Sequence, residues 1–193
     1  EGEQWLACEP IDVHLCEASP SEAAKERATC MRACWDEDAL YLGFVCNEPD
    51  MTRLRTAAAD TEPVAPNTND YVQVSLEPQR LWPVRRISVT AAGARHHLTF
   101  ETMPNYTWEA ASHRGSDFWS TTLRLPWKWV LPDAVFTGRP VRLMVQRNIP
   151  LDDGSGSTTC LRLHWPCVPT YLPHRLMQFP ENPDDLGWCL LSL

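Results

Sequence analysis

Seventeen prolines against eight glycines, distributed between short apolar runs, constrain this chain more than any other feature. A proline inside a helix removes a backbone donor and collides with the preceding turn, so a chain punctuated this often cannot lay down long helices. Many short strands joined by turns are the alternative it favours. With 44% apolar side chains over 193 residues, there is material for one packed domain and no case for disorder. Lysine plus arginine number 17 and aspartate plus glutamate 25, a formal charge of −8 that repels phosphate backbones, so nucleic acid is not an expected partner. No apolar run approaches the roughly 18 residues that a membrane-spanning helix needs.

Alternation of apolar and polar residues sets the strands. Ile11–Leu15 reads as a strand and Ser21–Ala28 as a short helix, within a less regular N-terminal extension over 1–28. Met31, Ala33 and Trp35 alternate with polar neighbours, an acidic turn follows at Asp36-Glu37-Asp38, and Leu40–Val45 returns as the second arm of a hairpin. Residues 47–69 form a long polar loop. Asp70–Glu77 places Val72, Val74 and Leu76 on one face and Tyr71, Gln73 and Ser75 on the other, the pattern of a half-buried strand. Ile87–Thr90 and His97–Glu101 flank Ala92-Gly93 as a hairpin, Phe118–Leu125 alternates until Pro126, and a helical turn is expected over Pro126–Leu131. Val141–Gln146, Thr159–Trp165 and Leu186–Leu191 complete about nine strands, which predicts an all-β, antiparallel sandwich in a single domain over 1–193.

Catalytic signatures are missing. There is no Gly-x-Ser-x-Gly elbow, His-Glu-x-x-His helix, phosphate-cradling loop or dinucleotide fingerprint, and the adjacent carboxylates Asp152-Asp153 and Asp184-Asp185 sit in turns rather than facing each other across a cleft. The expectation is a protein that is not an enzyme. The eight cysteines contain no zinc-ligand spacing. Folding the hairpin about its acidic turn brings Cys30 roughly opposite Cys46, which leaves two readings, a cross-strand disulfide or buried thiols. Asp36 and Asp38 are candidate calcium ligands, because sandwich loops bind that ion through carboxylates without a linear motif; solvated turn charges are the alternative.

The remaining signal is aromatic. Of nine tryptophans, Trp35, Trp119 and Trp165 continue the inward faces of strands and read as core, whereas Trp82, Tyr106, Trp108 and Tyr171 lie beside prolines or in polar loops. An exposed ring in such a place stacks on the apolar face of a sugar.

Four segments in this order, Arg32-Ala33-Cys34-Trp35-Asp36-Glu37-Asp38-Ala39-Leu40-Tyr41-Leu42, Asn69-Asp70-Tyr71-Val72-Gln73-Val74, Thr122-Leu123-Arg124-Leu125-Pro126-Trp127 and Val145-Gln146-Arg147-Asn148, resemble the family 9 carbohydrate-binding modules and the wider DOMON-like group. The likeness spans about residues 28–193. It implies a jelly-roll β-sandwich, non-catalytic, accessory to exported bacterial glycan-processing proteins, sometimes with structural calcium. It also implies that Gln146 matches a glutamine bonding sugar hydroxyls and that Gln73 takes the place of an acidic residue doing similar work. The family's two sugar-stacking tryptophans are not reproduced: one position falls near Asn67 and the other near Tyr171–Pro173.

The expected site is therefore an outward strand face bearing Gln73, Gln146 and Arg142, rimmed by Tyr171, Arg175 and Trp82, binding a mono- or oligosaccharide. Two alternatives stay open: a sandwich that contacts other domains or chains, and a haem-binding DOMON-like domain using Met144 with His164 or His174. A first residue of Glu1 rather than methionine suggests a removed leader, by processing or by choice of segment, and with the resemblance it predicts a secreted, periplasmic or cell-surface protein.

Overall fold

In the computed structural model, residues 11–16, 21–56, 69–77, 85–98, 108–130, 141–152, 158–165 and 187–189 are described. They form two antiparallel sheets. Sheet A runs β1 (Ile11–Leu15), β2 (Thr29–Trp35), β3 (Ala39–Asn47), β8 (Phe118–Pro126) and β7 (Glu109–Arg114). Sheet B runs β10 (Thr158–Trp165), β9 (Val141–Asp152), β4 (Tyr71–Glu77), β5 (Arg85–Thr90) and β6 (Arg95–Leu98), with β11 (Gly187–Cys189) pairing with β9 as well. Two short α-helices, α1 (Glu22–Glu26) and α2 (Trp127–Val130), and a 3-10 turn over Met51–Arg53, inside the stretch expected to be loop, complete the described set. Ser21 caps α1 by accepting a hydrogen bond from the Ala24 amide at 3.2 Å.

The inward faces are those the alternation predicts. Met31, Ala33, Leu40, Leu42, Phe44, Leu123 and Leu125 of sheet A pack against Val72, Val74, Leu76, Ile87, Val89, Leu143 and Val145 of sheet B in one apolar cluster. Trp119 is fully buried, and Trp35 and Trp165 are partly buried against the same cluster. The expected strands at 11–15, 31–35, 40–45, 70–77, 87–90 and 118–125 are present, with ends shifted by a few residues.

The acidic turn is built by Asp36. Its Oδ1 accepts from the Asp38 and Ala39 amides, both at 2.8 Å, its Oδ2 accepts from the Tyr41 hydroxyl at 2.8 Å, and its carbonyl accepts from Trp127 Nε1 at 2.7 Å. All four segments that carry the family resemblance contribute to this turn or to the ion pair described next.

Arg147 is an inward-facing residue of β9 with no exposed surface. It makes a two-pronged pair with Asp70, Nε to Oδ1 at 3.2 Å and Nη2 to Oδ2 at 2.9 Å. Its Nη1 donates across the interior to the Arg27 carbonyl, the Thr29 hydroxyl and the Asn47 carbonyl of the sheet A side, and its guanidinium lies 5.7 Å from the Trp119 ring centroid. Glu48, which also holds Arg27 at 3.0 Å, stands 3.8 Å from Arg147. A buried charge is tolerated when its donors are used, and here they are.

Four expectations need correcting. The hairpin register pairs Thr29 with Cys46 and Cys30 with Val45, so Cys30 and Cys46 lie on opposite faces, and both are thiols outside any disulfide, as are Cys34 and Cys160. Cys16 is in a disulfide whose partner lies outside the described side chains. Trp108 is buried in the core cluster beneath the Arg95 guanidinium, which stands 5.7 Å from its ring centroid, so it is not an exposed stacking ring. On β4 the second face is not solvated throughout, for Tyr71 and Ser75 are buried as well. Finally, β9 continues past Gln146 through Pro150 to Asp152, and β7 is a strand that the pattern reading leaves in a loop.

Candidate functional site

The outward face of sheet B is polar, and the antiparallel register decides which of its side chains meet. Gln73 pairs with Gln146 across β4 and β9, Gln73 with Ser88 across β4 and β5, Ser88 with His96 across β5 and β6, and Gln146 with His164 across β9 and β10. One row of hydrogen-bonding side chains, His164, Gln146, Gln73, Ser88 and His96, thus crosses five strands. A second row holds Arg162, Asn148, Tyr71 and Thr90, and a third holds Met144, Ser75 and Arg86. Cross-strand partners share a face because side-chain direction alternates with period two.

Within these rows Gln73, Gln146, Arg86, His96 and Arg162 keep partial exposure, as does Cys160 next along β10, while Tyr71, Ser75, Ser88, Thr90, Met144, Asn148 and His164 are buried. Ser88 Oγ donates to Gln73 Oε1 at 3.5 Å, and Gln146 Nε2 donates to Asn148 Oδ1 at 2.9 Å. Gln146 Oε1 and Gln73 Nε2 form no hydrogen bond to a described side chain, which leaves an acceptor and a two-hydrogen donor available side by side. Burial pushes the Tyr71 phenol up to about 12 and raises the Cys160 thiol. Both are neutral at physiological pH and act there as hydrogen-bonding groups.

Of the residues expected at the site, the structure brings Gln73 and Gln146 together as direct partners. Arg142 pairs with Glu77 at one end of the same β4–β9 ladder and with Trp188 of β11. Tyr171, Arg175 and Trp82 lie outside the described residues, as do His174, Tyr106, Asn67 and 172–173. Asp36 and Asp38 lie in the β2–β3 turn of sheet A, and the Asp36 oxygens are occupied by the amide and hydroxyl donors given above. Burial opposes the Asp36 charge, but the Tyr41 hydroxyl and the Ala39 and Asp38 amides outweigh it and hold its pKa below the usual carboxylate value.

Met144 and His164 do share this face, one on β9 and the other opposite Gln146 on β10. Both are buried.

Sequence reasoning missed Ser88, His96, His164, Asn148 and Arg162 as members of the face. Each lies at an alternate strand position, but membership of a common row depends on register, which short strands without turn signatures do not announce. Two concavities lined by described residues lie away from Gln73 and Gln146. A cleft of about 40 Å³ beside Arg27, Glu48, Arg55 and Asp152 is scarcely larger than a water molecule's share of space. A shallow hollow of about 630 Å³ on sheet A, around Val45, Pro49 and Phe118, carries the one exposed large apolar side chain found among the described residues, Val45. A single such residue is ordinary on a surface.

No protein-family model matches this chain, and no curated protein does. Solved structures do match in fold. A family 9 carbohydrate-binding module from Caldicellulosiruptor kristjanssonii in complex with glucose aligns with a TM-score of 0.66 at 13% identity, over 100% of this chain and 88% of that one. The same organism's module in complex with cellotriose aligns at 0.65 and 13%, over 98% and 85%. A candidate carbohydrate-binding protein from Bacteroides uniformis aligns at 0.65 and 11%, over 98% and 88%. The chain thus has the two-sheet sandwich fold seen in family 9 carbohydrate-binding modules, as the resemblance in its segments implies.

Proposed function

We propose that this chain is a non-catalytic glycan-binding module that takes a mono- or oligosaccharide on the outward face of sheet B. The observation that carries the reading is the direct pairing of Gln73 with Gln146 on a partly exposed polar face. Neighbouring strands stand about 4.8 Å apart, so two amides on adjacent strands are spaced to bond successive hydroxyls of one sugar ring. Two of the structures sharing the fold hold glucose and cellotriose, which supports saccharide as the ligand class. The role that fits such a module is accessory, attached to or acting beside exported carbohydrate-processing proteins, and the Cys16 disulfide suits an oxidising, extracytoplasmic setting.

Titration calorimetry with glucose, cellobiose and cellotriose tests the reading. Binding is expected in the wild type. Gln73→Ala and Gln146→Ala should each weaken it by about five- to tenfold, the value of one or two hydrogen bonds, with an unchanged melting temperature. A wild type that ignores all three sugars and a broader glycan array overturns it.

A further inference from the structure

The same face carries a pattern of charge. The chain is acidic overall, at −8. Yet the described outward side chains at 71–75, 86–90, 96, 144–148 and 160–164 include two arginines, Arg86 and Arg162, two histidines and no carboxylate; the next outward position on β4, Glu77, lies opposite Arg142 at the far end of the ladder. The next carboxylate along β9 on that side is Asp152, two alternations beyond Asn148, and it is paired with Arg55.

Arg162 donates its Nε to Asn148 Oδ1 at 3.3 Å and makes no ion pair with a described residue. Its terminal nitrogens, the two-pronged end that suits planar anions, are uncommitted there. Asn148 has no exposed surface, and its Oδ1 already accepts from Gln146 Nε2 at 2.9 Å and Cys160 Sγ at 3.5 Å as well. Its Nδ2, buried in the same row, has no hydrogen-bond partner among the described residues. A buried amide donor without an acceptor is costly, and it stands beside a cationic fork with no counter-charge among the described residues. The Asn148 Nδ2 and the Arg162 terminal nitrogens thus lack an acceptor among the described residues, and Asn148 bonds Gln146.

We propose that the site is selective for an acidic saccharide, a uronate or a sulfated sugar, whose anionic group is met by Arg162 with Asn148 holding and supplementing it, while Gln146 and Gln73 bond the hydroxyls. This rests on the reading of the face as a glycan site. Arg162 is then the specificity-determining residue. A guanidinium–anion contact gains more than a neutral hydrogen bond, so discrimination against the neutral sugar of equal length should reach about tenfold.

The test is calorimetry with trigalacturonate, a sulfated cellotriose and unmodified cellotriose, on the wild type, Arg162→Gln and Arg162→Lys, with melting curves to confirm folding. Trigalacturonate or the sulfated sugar should bind at least about tenfold more tightly than cellotriose, and which of the two does so identifies the anion. Arg162→Gln should abolish that preference by weakening binding of the acidic sugar about tenfold more than that of cellotriose, and Arg162→Lys should retain part of it. Equal affinity for all three sugars, or an equal loss for all three in Arg162→Gln, overturns the proposal. Binding of cellotriose alone sinks the acidic preference but leaves the glycan reading standing, whereas silence toward every sugar sinks both.

Discussion

Arg147 is the residue on which the interior turns. Its partners are buried with it, so removing either member of the pair strands a charge in a low-dielectric setting. Arg147→Met and Asp70→Asn should each lower unfolding free energy by about 3–5 kcal/mol in urea titrations, and the double variant should lose clearly less than the sum. Additive losses would show that the two residues do not act as a pair. Cys46 supplies a pH handle. Burial pushes its thiol from 9.0 up to about 12, and burial likewise holds Tyr71 at about 12 against 10.0. Both groups stay protonated in the fold while the unfolded chain ionises, so stability is complete below pH 9 and falls as pH rises toward 12. Cys46→Ala should flatten that decline in melts taken from pH 8 to 11, and an unchanged slope would remove the thiol from the account. Both residues were legible only as types: Asp70 and Arg147 stand in two of the segments carrying the family resemblance, but nothing linear says that they meet.

Among elements, the β5–β6 hairpin depends on Gly93, whose φ of +86° is a conformation that a side chain disfavours. Its amide donates to the Thr90 carbonyl at 2.8 Å, and an added Cβ would meet Ser112 only at an ordinary 3.8 Å. Substitution should therefore cost conformational energy and no clash: about 1 kcal/mol for Gly93→Ala, less for Gly93→Asn, read from melting temperatures. Equal losses for the two would show that positive φ is not the cause. This turn was legible because Ala92-Gly93 separates two alternating runs. β7 was not, since Glu-Ala-Ala-Ser-His-Arg has little apolar alternation and lies at the edge of sheet A with mostly exposed or half-buried positions. The extension of β9 was hidden by Pro150, which reads as a breaker. At that point β4 has already ended and only β10 pairs with β9, and a strand with one free edge tolerates proline.

For the whole molecule, composition and alternation were enough for a two-layer antiparallel sandwich, because burying one face of each strand is what period-two patterning records. The candidate site was legible only in its two glutamines. The rest of the face, Ser88, His96, Asn148, Arg162 and His164, depends on which strands lie side by side. The segments behind the resemblance mostly make the Asp36 turn and the Asp70–Arg147 pair, so they report architecture more strongly than recognition.

The reach of Arg147 across the interior has a kinetic consequence. Its donors end on carbonyls and a hydroxyl of the opposite layer while its counter-ion belongs to its own. The layers cannot drift apart by small steps without breaking several charged contacts at once, which disfavours breathing motions that expose one layer alone. Hydrogen-exchange protection at Phe44 and at Val145 should therefore converge on a single opening free energy, and in Arg147→Met the two should separate.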